Sequence, residues 1–302
     1  MIGIVILNYC SWEDTRKCVQ SICKYPPKVP YQIVVVDNAS PNKPEYDWEN
    51  FIEKYSVEYV AGNENRGYNA GNNLGIQRAL ELKCDEILIS NSDVRYFENS
   101  IQNMWEYLQK HPDVGIVGPK ILNMNGELQK VHIFQRTGIK EKYQMRTRAN
   151  VFFRKKHCAY FGLDKDYEHI EKVYAVLGCC LMMSKKCVEK VTPFDEHPFL
   201  YEEEFMLGIR MEQAGFETMY LPQAVIEHLH GGSTQNVKAF SFAHFIRSEI
   251  YYCREYLHAS KAQIYPLYWY RVLLYLGRCI TNADFRQKWC WARKLWREEL
   301  SK

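Results

Sequence analysis

The 302-residue sequence lacks features that would identify several large classes of protein. It has no apolar stretch of about 20 residues, so we expect no membrane-spanning helix. No basic segment precedes its first apolar residues, so we expect no signal peptide. None of its eleven cysteines forms a CxxC pair, which argues against cysteine-ligated metals and redox motifs. A net charge of +3 gives no reason to expect a nucleic acid partner. We therefore expect a cytoplasmic protein with reduced thiols.

Short apolar runs alternate with helical patterns through the first 120 residues. Runs at residues 2–7 and 33–36 predict strands that are buried on both faces, and runs at 57–60, 87–89 and 115–117 predict three further strands. Helices are predicted after Ser11, with Ser11 as the cap and an acidic third position, and over residues 74–82. This alternation predicts an α/β fold with a mostly parallel central sheet.

Polar residues follow three of these predicted strands. Asn8 follows the first strand, Asp37 the second, and Asn91, Ser92 and Asp93 the fourth. Ligands of parallel sheets bind beyond the carboxyl ends of the strands, so these side chains are candidates for one site. Asp37 could accept a hydrogen bond from a pyrimidine N–H, and Asp93 could hold Mg²⁺ or Mn²⁺. An ordinary turn is the alternative explanation of either aspartate.

Three glycines, Gly67, Gly71 and Gly75, recur every four residues before a predicted helix. Glycine permits close approach of a ligand to the backbone, and the amino end of a helix favours phosphate, so this segment predicts a phosphate-binding loop. The spacing is neither GxGxxG nor Walker A, which argues against a dinucleotide enzyme and a P-loop nucleotidase. Glycines that pack a helix closely on the sheet are the alternative.

Two later segments carry ionisable side chains. The acidic triplet Glu202, Glu203 and Glu204 follows an aromatic stretch. Packed like charges raise one another's pKa, which suits a general base near neutral pH. An acidic helix start, favoured by the helix dipole, is the alternative. His228 follows an apolar run and is a candidate metal ligand, although a single histidine also fits a structural role.

The order and spacing of these segments are more specific than any one of them. Together they resemble the family-two glycosyltransferases, in particular the rhamnosyl- and galactofuranosyltransferase-like branch of bacterial surface polysaccharide synthesis. The resemblance covers about residues 1–235. It rests on Asn8 and Tyr9 and on residues 36–40, 65–75, 91–93, 194–207 and 228–233.

This resemblance implies a GT-A fold and inverting transfer of a sugar from a nucleoside-diphosphate donor to a glycan or lipid-linked glycan, with Mg²⁺ or Mn²⁺. It favours dTDP-rhamnose as donor, and then a UDP-sugar. It places the metal on Asp93 and His228 and makes Glu204 or Glu203 the base. The expected donor contacts are Asn8, Tyr9, Asp37, Asn38, Asn65, Gly67, Gly71, Asn73, Asn91 and Ser92.

The resemblance also divides the chain. A donor half would cover about residues 1–120, an acceptor half about 121–235, and a helical segment 236–302. Two positions depart from the family pattern, because Glu204 and Met206 stand where the family has aspartates. The identity of the base among Glu202, Glu203 and Glu204 therefore stays open. A non-catalytic nucleotide-sugar-binding relative, or a scaffold of a glycan synthesis complex, is the alternative function.

Two regions carry surplus basic charge. From residue 239 the chain has a helical pattern rich in aromatic and basic residues. Such helices suit an anionic membrane surface, which would place the protein peripherally on the inner face of the plasma membrane. Packing on the catalytic domain, or across a homodimer interface, is the alternative. Residues 125–172 predict a loop-rich basic insertion that is either a solvated surface or a binding surface.

Overall fold

The computed structural model describes residues 1–229 and 238–302. A nine-stranded mixed sheet runs through this part of the chain, with helices on both sides. The strands are β1 (Ile2–Asn8), β2 (Tyr31–Asp37), β3 (Glu58–Ala61), β4 (Glu86–Asn91), β5 (Val94–Tyr96), β6 (Val114–Leu122), β7 (Glu171–Val173), β8 (Cys180–Met183) and β9 (Glu217–His228). The helices are α1 (Trp12–Lys24), α2 (Trp48–Lys54), α3 (Tyr68–Glu81), α4 (Ser100–Lys110), α5 (Ile139–Gln144), α6 (Arg154–Phe161), α7 (Lys185–Val191), α8 (Glu203–Ala214), α9 (Ala239–Tyr251), α10 (Lys261–Thr281) and α11 (Ala283–Ser301).

The sheet has the spatial order β3-β2-β1-β4-β8-β6-β9-β5, and β7 pairs with β9. Its first four strands are parallel, and β8 then joins β4 and β6 in antiparallel pairs. The register sets Asn8 opposite Asp37 and Leu7 opposite Asn91. The strand patterns of the sequence are therefore confirmed, and the polar residues that follow them meet at one edge of the sheet.

The glycine-rich segment differs from its prediction. Helix α3 begins at Tyr68 rather than at residue 74, so Gly71 and Gly75 lie inside its first turns. A Cβ built on Gly71 would lie 2.5 Å from Leu7 Cδ1, and one on Gly75 would lie 2.2 Å from Val5 Cγ1. Both glycines therefore let α3 pack closely on the sheet, and this packing outweighs the weak helix propensity of glycine and asparagine.

Most aromatic side chains of the last three helices are at least partly buried inside the protein. Tyr275, Phe285 and Trp296 are fully buried, in a cluster that also contains Phe205 and Met206 of α8. The prediction that aromatic residues of these helices pack on the rest of the chain is therefore confirmed for these side chains. The domain boundary expected near residue 236 falls outside the described residues and stays a prediction.

All eleven cysteines are free thiols, and six of them are buried. Within residues 1–229 and 238–302, none of the helices combines the length and the apolar character that a membrane crossing requires. The basic insertion contains α5, α6, β7 and a short 3₁₀ turn at Arg148–Phe153, so it is less regular than the sheet but not wholly loop.

Candidate active site

Asp37 lies in a buried polar cluster where β1 and β2 end. Its Oδ1 accepts hydrogen bonds from Asn8 Nδ2 at 3.0 Å and from Ser40 Oγ at 2.5 Å. Asn8 Oδ1 in turn accepts from the Thr15 hydroxyl at 2.9 Å. These bonds fix the carboxylate at the carboxyl edge of the sheet, and Tyr9 follows directly with an exposed ring. A carboxylate held in this way can accept a hydrogen bond from a heterocyclic N–H.

The residues before α3 form a tight turn over this cluster. Asn38 Nδ2 donates to Asn65 Oδ1 at 3.0 Å and to the Gly67 carbonyl at 3.1 Å, and the Gly67 N–H donates back to Asn65 Oδ1. Gly67 has φ +101°, and a Cβ there would lie 2.2 Å from the Phe199 carbonyl oxygen. Only glycine fits this position, because both the backbone angle and the close approach exclude a side chain.

Helix α1 begins at Trp12 as predicted, but Ser11 does not cap it through its side chain. The Ser11 hydroxyl instead lies 2.9 Å from the Ser92 hydroxyl, which links the end of β1 to the end of β4. The half-buried Asn91 uses its N–H to bind the Cys179 carbonyl at 2.8 Å. The loop after β4 is thereby tied to both of its neighbours.

Asp93 and His228 meet as the family resemblance implies. His228 Nε2 lies 3.3 Å from Asp93 Oδ1, and both side chains are mostly buried. The antiparallel pairing of β5 with β9 sets Val94 opposite His228, which positions the pair. Among the described residues, no group of three or more His, Cys, Asp or Glu side chains could hold a metal ion. The rest of the motif at 228–233 lies outside the described residues from residue 230 onward.

The three glutamates of the acidic triplet have different surroundings. Glu202 is buried, and its carboxylate binds the ammonium group of the equally buried Lys142. Lys142 also lies 3.6 Å from Glu249 of α9, and Arg271 of α10 donates two hydrogen bonds to that same carboxylate, at 2.7 and 2.9 Å. Glu202 therefore belongs to a buried ion network that joins the triplet to the last helices.

The backbone before α8 directs the other two glutamates into cavities. Tyr201 and Glu202 have φ of 72° and 70°, a left-handed conformation that non-glycine residues adopt at a cost of about 1–3 kcal/mol each. Glu203 and Glu204 both line a largely apolar cavity between α3 and α8. Glu204 also lines a second cavity of about 190 Å³, and its Oε1 accepts from the Gly178 N–H at 3.2 Å.

Burial changes the acid–base properties of this region. Burial raises the pKa of both Glu203 and Glu204, and for Glu203 the adjacent Glu204 carboxylate raises it further. Burial, and the nearby charges of Cys180, Asp93 and Glu204, raise the pKa of Cys179. The geometry links these groups through the backbone at residues 178–179. The Gly178 N–H donates to Glu204, and the Cys179 carbonyl accepts from the N–H of Asn91, two residues before Asp93. A carboxylate with a raised pKa suits proton abstraction near neutral pH.

Two asparagines on α3 have a role that sequence reasoning missed. Asn73 Nδ2 donates to the Phe194 carbonyl at 2.9 Å and to Glu196 Oε1 at 2.9 Å, and its Oδ1 accepts from the Phe194 N–H at 2.8 Å. Asn69 Nδ2 donates to the Asp195 carbonyl at 2.6 Å. The Asn73 amide, expected to contact the donor, is thus engaged with the segment that carries the acidic triplet. The sequence signal was the set of asparagines one turn apart.

Comparison with known proteins identifies the family. The model of "Glycosyl transferase family 2" matches residues 2–169, more than half of the chain. The chain belongs to this family. The matched residues include Asp37 and Asp93, whereas Glu204 and His228 lie beyond them.

The curated relatives of this chain are named as glycosyltransferases. It is 26% identical over 206 residues to the low-salt glycan biosynthesis hexosyltransferase Agl10 of Haloferax volcanii. The matched residues cover 67% of this chain and 59% of that protein. It is 24% identical over 219 residues to the N-acetylglucosaminyl-diphospho-decaprenol L-rhamnosyltransferase of Mycobacterium tuberculosis, which covers 68% of each protein. The chain thus spans well under two thirds of the first relative's length.

Solved structures agree on the fold. GalNAc-T7 with UDP, GalNAc and Mn²⁺ has a TM-score of 0.60 at 15% identity, over 87% of this chain and 51% of that one. The mannosyltransferase PcManGT of Pyrobaculum calidifontis, in complex with GDP-Man and Mn²⁺, has a TM-score of 0.53 at 12% identity, over 99% of this chain and 74% of that one. The α/β GT-A fold expected from the sequence is therefore confirmed.

Proposed function

We propose that the protein is an inverting, metal-dependent glycosyltransferase that moves a sugar from a nucleoside-diphosphate donor to a hydroxyl of a glycan or lipid-linked glycan. The observation that carries this proposal is that the contact between Asp93 and His228 lies at the carboxyl edge of the sheet, where the backbone at residues 178–179 binds both Glu204 and the end of β4. Two side chains that can hold a divalent metal, and a carboxylate with a raised pKa, are the groups that such a displacement requires.

The donor end of the proposal rests on the polar cluster around Asp37. The oriented carboxylate would receive the N–H of a pyrimidine base, and Asn38 and Ser92 border the same edge of the sheet. We favour dTDP-rhamnose and then a UDP-sugar, on the sequence resemblance and on the rhamnosyltransferase name of a 24% identical relative.

The metal end of the proposal rests on Asp93 and His228. Two ligands at about 2.1 Å from one ion and at right angles are about 3 Å apart, close to the 3.3 Å between Oδ1 and Nε2. The Asp93 carboxylate suits both Mg²⁺ and Mn²⁺. The metal, when bound, would offset the negative charge of the departing diphosphate.

The proton step falls to Glu204. The acceptor oxygen forms a bond to the anomeric carbon from the face opposite the diphosphate, while the bond from that carbon to the diphosphate oxygen breaks. The acceptor O–H proton passes to the Glu204 carboxylate. We prefer Glu204 to Glu203 because Glu204 alone borders both cavities, and to Glu202 because Lys142 already neutralises Glu202. One carboxylate suffices, since inversion needs no covalent intermediate.

The test pairs Glu204→Gln with Glu203→Gln as a matched control. We expect Glu204→Gln to lower turnover by about 10²–10⁴-fold, the usual value of a general base, and Glu203→Gln to lower it much less. The thermal shift given by dTDP, UDP or GDP with Mn²⁺ should stay unchanged in both variants, because the donor contacts are intact.

Three outcomes bear on the proposal. Unchanged turnover in Glu204→Gln would refute the base assignment. A metal-dependent thermal shift with a nucleotide, but no sugar transfer or donor hydrolysis by the wild type, would favour the non-catalytic relative. The observation that motivates this alternative is the apolar Met206 in place of an acidic residue. The absence of a shift with every nucleotide would contradict donor binding itself.

A further inference from the structure

Helix α10 is apolar on its buried face and on part of its exposed face. Its inner face packs on the neighbouring helices through Leu267, Tyr268, Val272 and Tyr275. Its outer face exposes five large apolar side chains, and we call this set the α10 outer face: Tyr265, Trp269, Leu273, Leu276 and Ile280. A contiguous exposed apolar stripe is typical of a surface that contacts a protein or a membrane.

The outer face forms one continuous stripe. At about 100° per residue its five positions fall within an arc of roughly 80°. The exposed fractions reach 65% for Leu273 and 81% for Ile280. Such a patch is larger than the scattered apolar residues that a protein surface normally shows.

A basic, aromatic turn lies beside this stripe. The Arg148 N–H donates to the Tyr270 hydroxyl at 3.0 Å, which attaches the turn to α10. The turn exposes Val151 and Phe152, the latter by 84%. It also exposes four cationic side chains, which we call the basic turn: Arg148, Arg154, Lys155 and Lys156.

Charge decides which partner fits. Residues 261–281 and residues 148–162 contain no aspartate or glutamate at all. In a two-fold dimer formed through this patch, each copy would present the same patch to the other. The four cations would therefore meet no acidic side chain of the partner's patch. A bilayer with anionic lipids offers both an apolar layer and negative headgroups, and Trp and Tyr are favoured at its interface.

We propose that the α10 outer face and the basic turn together form a docking surface for an anionic membrane. The apolar side chains enter the headgroup–acyl boundary and the cations contact lipid phosphates. This inference deepens the proposed function, because a lipid-linked acceptor would lie in the same membrane. It also links to the site, since Arg271 on the inner side of α10 binds Glu249 in the ion network that contains Glu202.

The test measures sedimentation of the full chain with vesicles, in the absence of donor. One vesicle set contains phosphatidylglycerol and phosphatidylcholine, and the other contains phosphatidylcholine alone. We expect wild-type protein to bind the anionic vesicles more tightly. The variant Leu273→Glu/Ile280→Glu should lower the partition coefficient by on the order of 100-fold, from the lost burial of two aliphatic side chains. Replacing all four cations of the basic turn by glutamine should abolish the preference for phosphatidylglycerol.

The matched control is Leu80→Glu/Met124→Glu, which adds the same charge at exposed apolar positions on other elements and should bind as the wild type does. All variants should keep the wild-type melting temperature, since the changed side chains are exposed. The metal-dependent nucleotide shift is measured separately, so a failure of the proposed function is distinguishable from a failure of docking.

Two outcomes would overturn the docking surface. The first is wild-type protein that binds neither vesicle set, and the second is a Leu273→Glu/Ile280→Glu variant that binds as the wild type does. In the first case, a dimer in solution that this variant dissociates would show that a second copy covers the stripe.

Discussion

Glu299 offers a quantitative test of how the last helix is attached to the site. Its carboxylate on α11 is almost fully buried and accepts from Arg254 Nη2 at 2.6 Å and Arg247 Nε at 3.1 Å, and it lies 2.7 Å from His197 Nε2. Lys302 lies slightly farther away, at 3.8 Å. His197 belongs to the segment that leads to the acidic triplet, so one carboxylate joins α11, α9 and the active-site segment.

The pKa of this carboxyl gives the magnitude. Burial alone would raise the pKa of Glu299, but hydrogen bonds from His197, Arg254 and Arg247 and the charge of His197 lower it from 4.5 to about 2. At about 1.4 kcal/mol per pKa unit, a shift of this size stabilises the folded protein by about 3 kcal/mol near neutral pH. Since the folded pKa is lowered, the unfolded chain binds the proton more readily, and the stabilisation is lost as pH falls from about 4.5 towards 2.

The assay is urea unfolding of wild type, Glu299→Gln and Glu298→Gln. We expect Glu299→Gln to lower the free energy of unfolding by about 3 kcal/mol near pH 7, and the difference from wild type to shrink by about 1.4 kcal/mol near pH 3.5. Glu298 is the adjacent, exposed residue, and its variant should match the wild type. A Glu299→Gln variant as stable as wild type at neutral pH, or a difference that does not depend on pH, would refute this reasoning.

Two further substitutions test the packing around the acidic triplet. Lys142→Met should lower the free energy of unfolding, measured in urea, by about 3–5 kcal/mol, because it leaves the buried Glu202 carboxylate unpaired. The double variant Lys142→Met/Glu202→Gln should recover part of this loss. A double variant with no recovery would contradict the pairing. Gly67→Ala should be about 1–3 kcal/mol more destabilising than Gly126→Ala. Both glycines have positive φ, but only at Gly67 would a Cβ meet the Phe199 carbonyl. Equal effects of the two substitutions in thermal unfolding would contradict the clash.

Several features of the protein could be predicted from local sequence patterns. The strands at residues 2–7 and 33–36 follow from unbroken apolar runs, and their ends mark the polar edge with Asn8 and Asp37. These predictions succeed because strand burial depends on side chains that are consecutive in the chain. The sequence predicts the start of this helix at residue 74, because glycine and asparagine have weak helix propensity. Helix α3 begins at Tyr68 instead, because Gly71 and Gly75 pack closely on the sheet and stabilise the helix there.

The sequence by itself determined which strands are followed by polar residues, the family, and the ionisable side chains that are candidates for the site. Only the tertiary structure separated Glu202 from Glu204, because Lys142 pairs with the first across 60 residues and Gly178 binds the second. Only the structure divided the aromatic residues of the last helices into a buried core and the exposed α10 outer face. The physical reason is that composition and periodicity fix which side chains can be buried or charged, whereas contacts between distant segments decide which of them are.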